Sequence, residues 1–188
     1  MADYFSLVFV VFMINLIPAF MPPTWIILST AMINDPTFNP FILALVGAIS
    51  STFGRAGLSF ISFAFRRFFS SELLMRAREI KNFFEKKGNA LFFGTFIYAL
   101  SPLPSNLIFI AKGITEVDWK PVFSGFFFGR LVSYYTLIVL SNDIYALLTN
   151  YASGDIIRYL FDVLGIIAAL LILLIDWKKL TTGKNGNK

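Results

Sequence analysis

The sequence predicts an all-α integral membrane protein. The plan is an inverted repeat of a re-entrant helical hairpin plus a transmembrane helix, with a cytoplasmic amphipathic helix and a C-terminal transmembrane helix. Three observations predict it. The 188-residue chain is 57% hydrophobic and 14% charged, with a mean hydropathy of +0.73. Soluble domains average about 45–50% apolar and about 25% charged residues. Two proline clusters, Pro18-Ala19-Phe20-Met21-Pro22-Pro23 and Ser101-Pro102-Leu103-Pro104, break apolar runs. Proline lacks an amide donor and clashes with the preceding turn, so helix stops there. In hydrocarbon such a break survives only where protein buries it or where it lines a wet cavity. Finally, the basic residues gather on one side of the topology that these breaks imply.

The first repeat occupies residues 1–67. Its opening run, 5–17, has 13 residues, short of the roughly 20 a span needs. Asp3 precedes it where a signal peptide carries bases, and prolines follow where a cleavage site would stand, so it is expected to be retained structure. After the break comes a second short run, 25–33. The pair suits two half-helices, and the alternative is one kinked span from 5 to 32. Asn34-Asp35-Pro36-Thr37 then leaves the membrane. Residues 41–65 form a full span with one charge, Arg55, and with Gly47, Ser51, Gly54 and Gly57, small residues that let helices approach.

Residues 68–89 are expected to form an amphipathic surface helix, with a soluble linker helix as the alternative. Leu73, Ala77, Ile80 and Phe84 recur at helical spacing, and Arg76, Arg78, Glu79, Lys81 and Glu85 take the other face. The second repeat, 90–149, enters as 90–100, breaks at Ser101–Pro104 and continues as 106–111. A polar stretch at 112–120 precedes a span at 122–148 that carries Arg130. A short loop at 150–155, a last span at 156–177 and a flexible tail at 178–188 complete a single membrane domain.

Charge orients this plan. Arg66, Arg67, Arg76, Arg78, Lys81, Lys178 and Lys179 fall on one side, while Asp3, Asp35, Asp155 and the lone base Arg158 fall on the other. The positive-inside rule puts the surface helix and the C-terminus in the cytoplasm of a multi-pass cell-membrane protein. Topology accounts for the basic balance, so no nucleic-acid partner is called for. The two hairpins then dip in from opposite faces, as in many secondary transporters. Pro23 with Pro104, Thr24 with Ser105, Phe38 with Trp119 and Pro40 with Pro121 repeat at an offset of 81. Gly54-Arg55 and Gly129-Arg130 echo each other at a different offset.

The candidate site lies where the breaks meet. Each second half-helix begins after its prolines, Pro22 and Pro23 or Pro102 and Pro104, and the free amides and helix dipole there attract anions. Thr24, Ser105 and Asn106 can add side-chain bonds, as can Asn15 and Ser101 from the first legs. Capping is the plainer reading of Thr24 and Ser101 taken singly. Arg55 stands 11 residues before Arg66, about 16 Å from the inner boundary, and Arg130 stands about 14 Å from it. In a core about 30 Å thick both are near the middle, where an arginine costs at least about 2.5 kcal/mol. Neither has an acidic partner in its own span, so each needs carbonyls, water, a distant carboxylate or a substrate phosphate. The chain has no His and no Cys, which removes thiol and imidazole chemistry and ordinary zinc sites. An enzyme is not expected, and neither a metal nor another cofactor is implied.

These residues resemble the DedA family, also called the SNARE-associated Golgi or VTT-domain superfamily. The likeness runs from about Ile14 to Leu140. It rests on Asn15-Leu16-Ile17-Pro18 with Pro22-Pro23, the span ending Gly54-Arg55, Gly88, Ser101-Pro102-Leu103-Pro104 followed by Ala111-Lys112-Gly113, and Phe128-Gly129-Arg130. The resemblance implies two opposed re-entrant hairpins that move or scramble phospholipids or polyprenyl-phosphate carriers. Many bacterial members have acidic residues flanking the first motif, where Ile14, Thr24 and Trp25 stand here. Others have arginines or an aspartate around the second, where Tyr98, Ala99, Ser105 and Asn106 stand. The expectation is therefore a flippase or scramblase for anionic lipid, uncoupled or coupled through other groups, whose partners are membrane lipids with phosphate head groups. Two alternatives stay open: a small-solute or multidrug exporter on the same scaffold, and a non-transporting membrane organiser. A homo-oligomer is also open.

Overall fold

The computed structural model describes residues 4–17, 22–68, 70–72, 74–75, 90–101, 105–115, 118–151, 153–157, 159–160, 163 and 167. Most of the surface helix expected over 68–89, most of the span expected over 156–177, and the tail lie outside the described residues. So do Pro18 and Pro102–Pro104 of the proline breaks.

Among the described residues all regular structure is helical. The elements are α1 (Tyr4–Leu16), α2 (Thr24–Asn34), α3 (Pro40–Ala64) with a 3-10 turn at Arg66–Phe68, α4 (Ala90–Leu100), α5 (Asn106–Thr115) and α6 (Trp119–Leu148). Two are long and apolar enough to cross a membrane: α3, and α6 over Lys120–Leu148. The 25 residues of α3 reach about 37 Å at about 1.5 Å per residue. By contrast α1, α2, α4 and α5 have 13, 11, 11 and 10 residues, about half a bilayer each.

Polar residues set the ends of the long helices. Asn39 caps α3, its Oδ1 accepting from the amides of Phe41 (2.9 Å) and Ile42 (3.2 Å) with Pro40 at the first helical position. Asp118 caps α6 by accepting from the Lys120 amide at 3.1 Å. This cap starts α6 at Trp119, three residues before the apolar run at 122. In the turn between α2 and α3, the hydroxyl and amide of Thr37 donate to Asp35 at 2.6 and 3.2 Å. Those bonds hold the Asp35 carboxyl below its usual range.

Contacts along the helices give their directions. Tyr4, at the start of α1, packs edge-on against Phe38 with ring centroids 4.8 Å apart, and its hydroxyl accepts from the Asn39 amide at 3.2 Å. Phe12 and Asn15 lie against Gly54, and Leu16 against Gly57. So α1 runs parallel to α3, starting where α3 starts. The end of α2, Asn34, is only five residues before Asn39, so α1 begins and α2 ends near the start of α3. Phe92 and Phe96 lie against Gly125, and Phe96 and Ala99 against Gly129, so α4 runs parallel to α6 from its start. Thr115 is four residues before Trp119.

The two long helices are antiparallel. Phe41 meets Tyr135 at 6.2 Å between ring centroids, while Leu58, further along α3, shares a core cluster with Phe126 and Val122, earlier on α6. Each first leg packs on its own long helix, whereas α2 packs on α6 and α5 packs on α3. One core holds Leu7, Val11, Leu28, Met32, Leu43, Tyr134 and Ile138, and the other Leu58, Leu91, Phe109, Val122 and Phe126. Phenylalanine covers the outside, with Phe5 82% and Phe60 72% exposed. A soluble surface rarely carries so continuous an apolar cover.

Gly54 and Gly129 hold equivalent places. A Cβ on Gly54 would stand 2.6 Å from the Phe12 carbonyl oxygen and 2.7 Å from the Asn15 Cβ. On Gly129 it would stand 2.6 Å from the Phe96 carbonyl oxygen and 2.7 Å from the Ala99 Cβ. In both, a first leg lies backbone-close to its long helix because the glycine beside the arginine has no side chain.

Candidate functional site

Asn15 closes α1 and is 3% exposed. Its Nδ2 donates to the Val11 carbonyl at 2.8 Å and to Thr24 Oγ1 at 3.0 Å. One side chain thus ties the last turn of the first leg to the first residue of α2, across the break. The carbonyl of Asn15 in turn accepts from Arg55 Nη1 at 3.2 Å. Pro23, before α2, supplies no side-chain cap, and the first return bond is from the Ile26 amide to the Pro23 carbonyl at 3.0 Å. The amides of Thr24 and Trp25 therefore open towards the break, at the positive end of the α2 dipole.

The second break has the same parts in a different arrangement. Ser101 donates its hydroxyl to the Tyr98 carbonyl at 2.7 Å, and its own carbonyl accepts from Arg130 Nη1 at 3.4 Å. The guanidinium carbon of Arg130 lies 5.2 Å from the Phe126 ring centroid and 5.6 Å from that of Tyr134. Ser133 donates to the carbonyls of Ala99 and Arg130, each at 3.3 Å. Where Asn15 ties α1 to α2, Ala99, which packs on Gly129 as Asn15 does on Gly54, has only a methyl group. Ser105 and Asn106, at the start of α5, are buried.

The halves meet at the arginines. Tyr134 joins them: its ring centroid lies 5.6 Å from the Arg130 guanidinium carbon, and the same ring packs against Gly47 of α3, about two turns before Arg55. Register places the start of α5 here too. Leu58 and Phe109 share a cluster, and four residues on along each helix Gly113 meets Ser62. The two helices therefore run the same way, and three residues back Asn106 is level with Arg55. Hydrogen bonds group Asn15, Thr24 and Arg55 at the first break and Ser101 with Arg130 at the second; all but the half-buried Ser101 are buried, as are Ser105 and Asn106. Pro23 is half-buried, Pro22 is exposed, and Pro102 and Pro104 lie outside the described residues.

Arginines 55 and 130 both donate to the carbonyls that end a first leg, one of the partner types the sequence required. Asp143 is exposed on the far half of α6, and no group of three or more acidic, His or Cys side chains placed to hold a metal occurs among the described residues. What the two breaks offer is hydrogen-bond donors and positive charge, the chemistry of an oxyanion site. Sequence reading missed Ser59, Ser133 and Tyr134, and took Ser51 only as a small packing residue. The spacing Ser51-Arg55-Ser59-Ser62 was the available signal, since it puts four polar residues on one face of α3. No family model, curated protein or solved structure matches the chain.

Proposed function

We propose that this protein is a membrane transporter of anionic lipid, a flippase or scramblase of the DedA kind, built from two inverted repeats of re-entrant hairpin and transmembrane helix. One observation carries the proposal: on each of two antiparallel long helices an arginine donates to the carbonyl at the broken end of a short helix. That α1 begins and α2 ends near the start of α3 supports a hairpin that enters and leaves on one face. The antiparallel α3 and α6 support an opposite entry for the second. A head-group phosphate would sit near Thr24, Ser105, Asn106 and one of the arginines while its tail stays in hydrocarbon. Rocking of the repeats about the tips would expose it alternately. Arg66 and Arg67 at the end of α3, together with Lys120 at the start of α6, support a cytoplasmic position for this end by the positive-inside rule.

The direct test is head-group translocation in vesicles reconstituted with purified protein. Faster movement of a labelled phospholipid than in empty vesicles is expected. Folded protein without acceleration contradicts the proposal, and uptake of a soluble solute without lipid movement would favour an exporter.

A further inference from the structure

The two glycine-arginine pairs pack alike but keep different company. One turn to either side of Arg130 stand Phe126 and Tyr134, whose rings cover its guanidinium. One turn to either side of Arg55 stand Ser51 and Ser59. Ser51 spends its hydroxyl on the Ala48 carbonyl at 3.1 Å. Ser59 is 2% exposed, and its Oγ has no partner among the described residues. Nor has the Nε of Arg55, itself 9% exposed. At i and i+4 these groups share one helix face. A buried donor left unbonded is destabilising, and two on one face mark a place where another group bonds. Ser59 and Ser62 border the seam with α5, where Gly113 lets the two backbones approach, and Arg55 lies one turn back along the same face.

We infer that Ser59 Oγ and Arg55 Nε together hold an oxyanion in the α3–α5 seam, one turn from the level of Asn106. Ser59 is a binding residue of this site. The inference rests on the anion-transport reading and is tested apart from it. The anion is the phosphate of a lipid head group or free phosphate, which share this chemistry.

The test is thermal unfolding of the purified full chain in detergent, titrated with inorganic phosphate and, separately, with dihexanoyl phosphatidic acid. Wild type should gain Tm with both. Ser59→Ala should keep or raise the ligand-free Tm, because it deletes an unsatisfied group, and should bind either ligand about 10-fold more weakly or worse. Ser59→Cys, near in size but a weak donor, should lose affinity in the same direction. Ser62→Ala should respond as wild type, since its hydroxyl is already bonded to the Leu58 carbonyl at 2.9 Å. Tighter binding of the lipid names the head group as the source, and equal binding names free phosphate. A wild-type response retained in Ser59→Ala, or no response of wild type to either ligand, overturns the inference. Phosphate binding through Ser59 without lipid movement keeps it and removes the transport reading. Lipid movement and ligand binding both unchanged in Ser59→Ala do the reverse.

Discussion

Valine at Gly54 or at Gly129 will destabilise the protein by about 3 kcal/mol, the upper part of the usual range for overpacking. The obstacle is main chain. At each glycine a new Cβ meets a carbonyl oxygen 2.6 Å away, on Phe12 or on Phe96. A side chain could rotate aside, but a helix backbone moves only as a unit, so α1 must leave α3 or α4 must leave α6. Alanine is the finer test. It gains about 1 kcal/mol of helix propensity over glycine and loses about 1–3 kcal/mol to the clash, so it should be neutral to mildly destabilising. Denaturant or thermal unfolding in mild detergent measures both. Valine variants as stable as wild type would show that the first legs are not held backbone-close to the long helices.

Arg55→Ala should slow lipid translocation about 10- to 100-fold, the range for loss of a charge-assisted hydrogen bond, while folded yield is kept. The two readouts move apart for a physical reason. A guanidinium in the middle of a membrane helix is costly, by at least about 2.5 kcal/mol on insertion scales. Its return in the ligand-free fold is a single bond to the Asn15 carbonyl at 3.2 Å. Removing it therefore need not weaken the fold, yet it takes a cation from the binding centre. Arg130→Ala should also slow transport, with a larger loss of Tm, because it forfeits the ring contacts as well as the bond to Ser101. Initial rates in vesicles, with Tm measured on the same preparations, separate these effects. Rates equal to wild type in both variants would remove the arginines from the site.

Hydropathy and proline were enough to read the helices and breaks, because those signals are local. Expected runs at 5–17, 25–33, 41–65 and 90–100 fall within about one residue of α1 to α4 at each end. The misses are tertiary. The run at 106–111 extends to Thr115, since Gly113 packs on α3 and Lys112 lies over the Phe123 ring at 5.7 Å to the centroid. Read by itself, Lys112 looks like the end of a helix. Residues 154–157 are helical where a loop to 155 was expected. The glycine-arginine echo was visible, but its offset of 75 disagreed with the 81 of the prolines. Packing reconciles them: both glycines accept the end of a first leg, and α3 simply has six more residues between its proline and its glycine. The contrast between the ringed Arg130 and the hydroxyl-flanked Arg55 was written in Phe126, Tyr134, Ser51 and Ser59. It has meaning only once the two arginines occupy equivalent places.

The chain contains no cysteine, so single cysteines can report which face each segment reaches. The most direct measurement places them at Ser6 and Thr37, at Ala90 and Asp118, and along 18–23 and 101–105, and labels sealed vesicles with a membrane-impermeant thiol reagent from each side. The account predicts that Ser6→Cys and Thr37→Cys react from one face, that Ala90→Cys and Asp118→Cys react from the other, and that both breaks react with the aqueous reagent. Ser6→Cys and Thr37→Cys reacting from opposite faces, or both breaks staying unlabelled from either side, would contradict it.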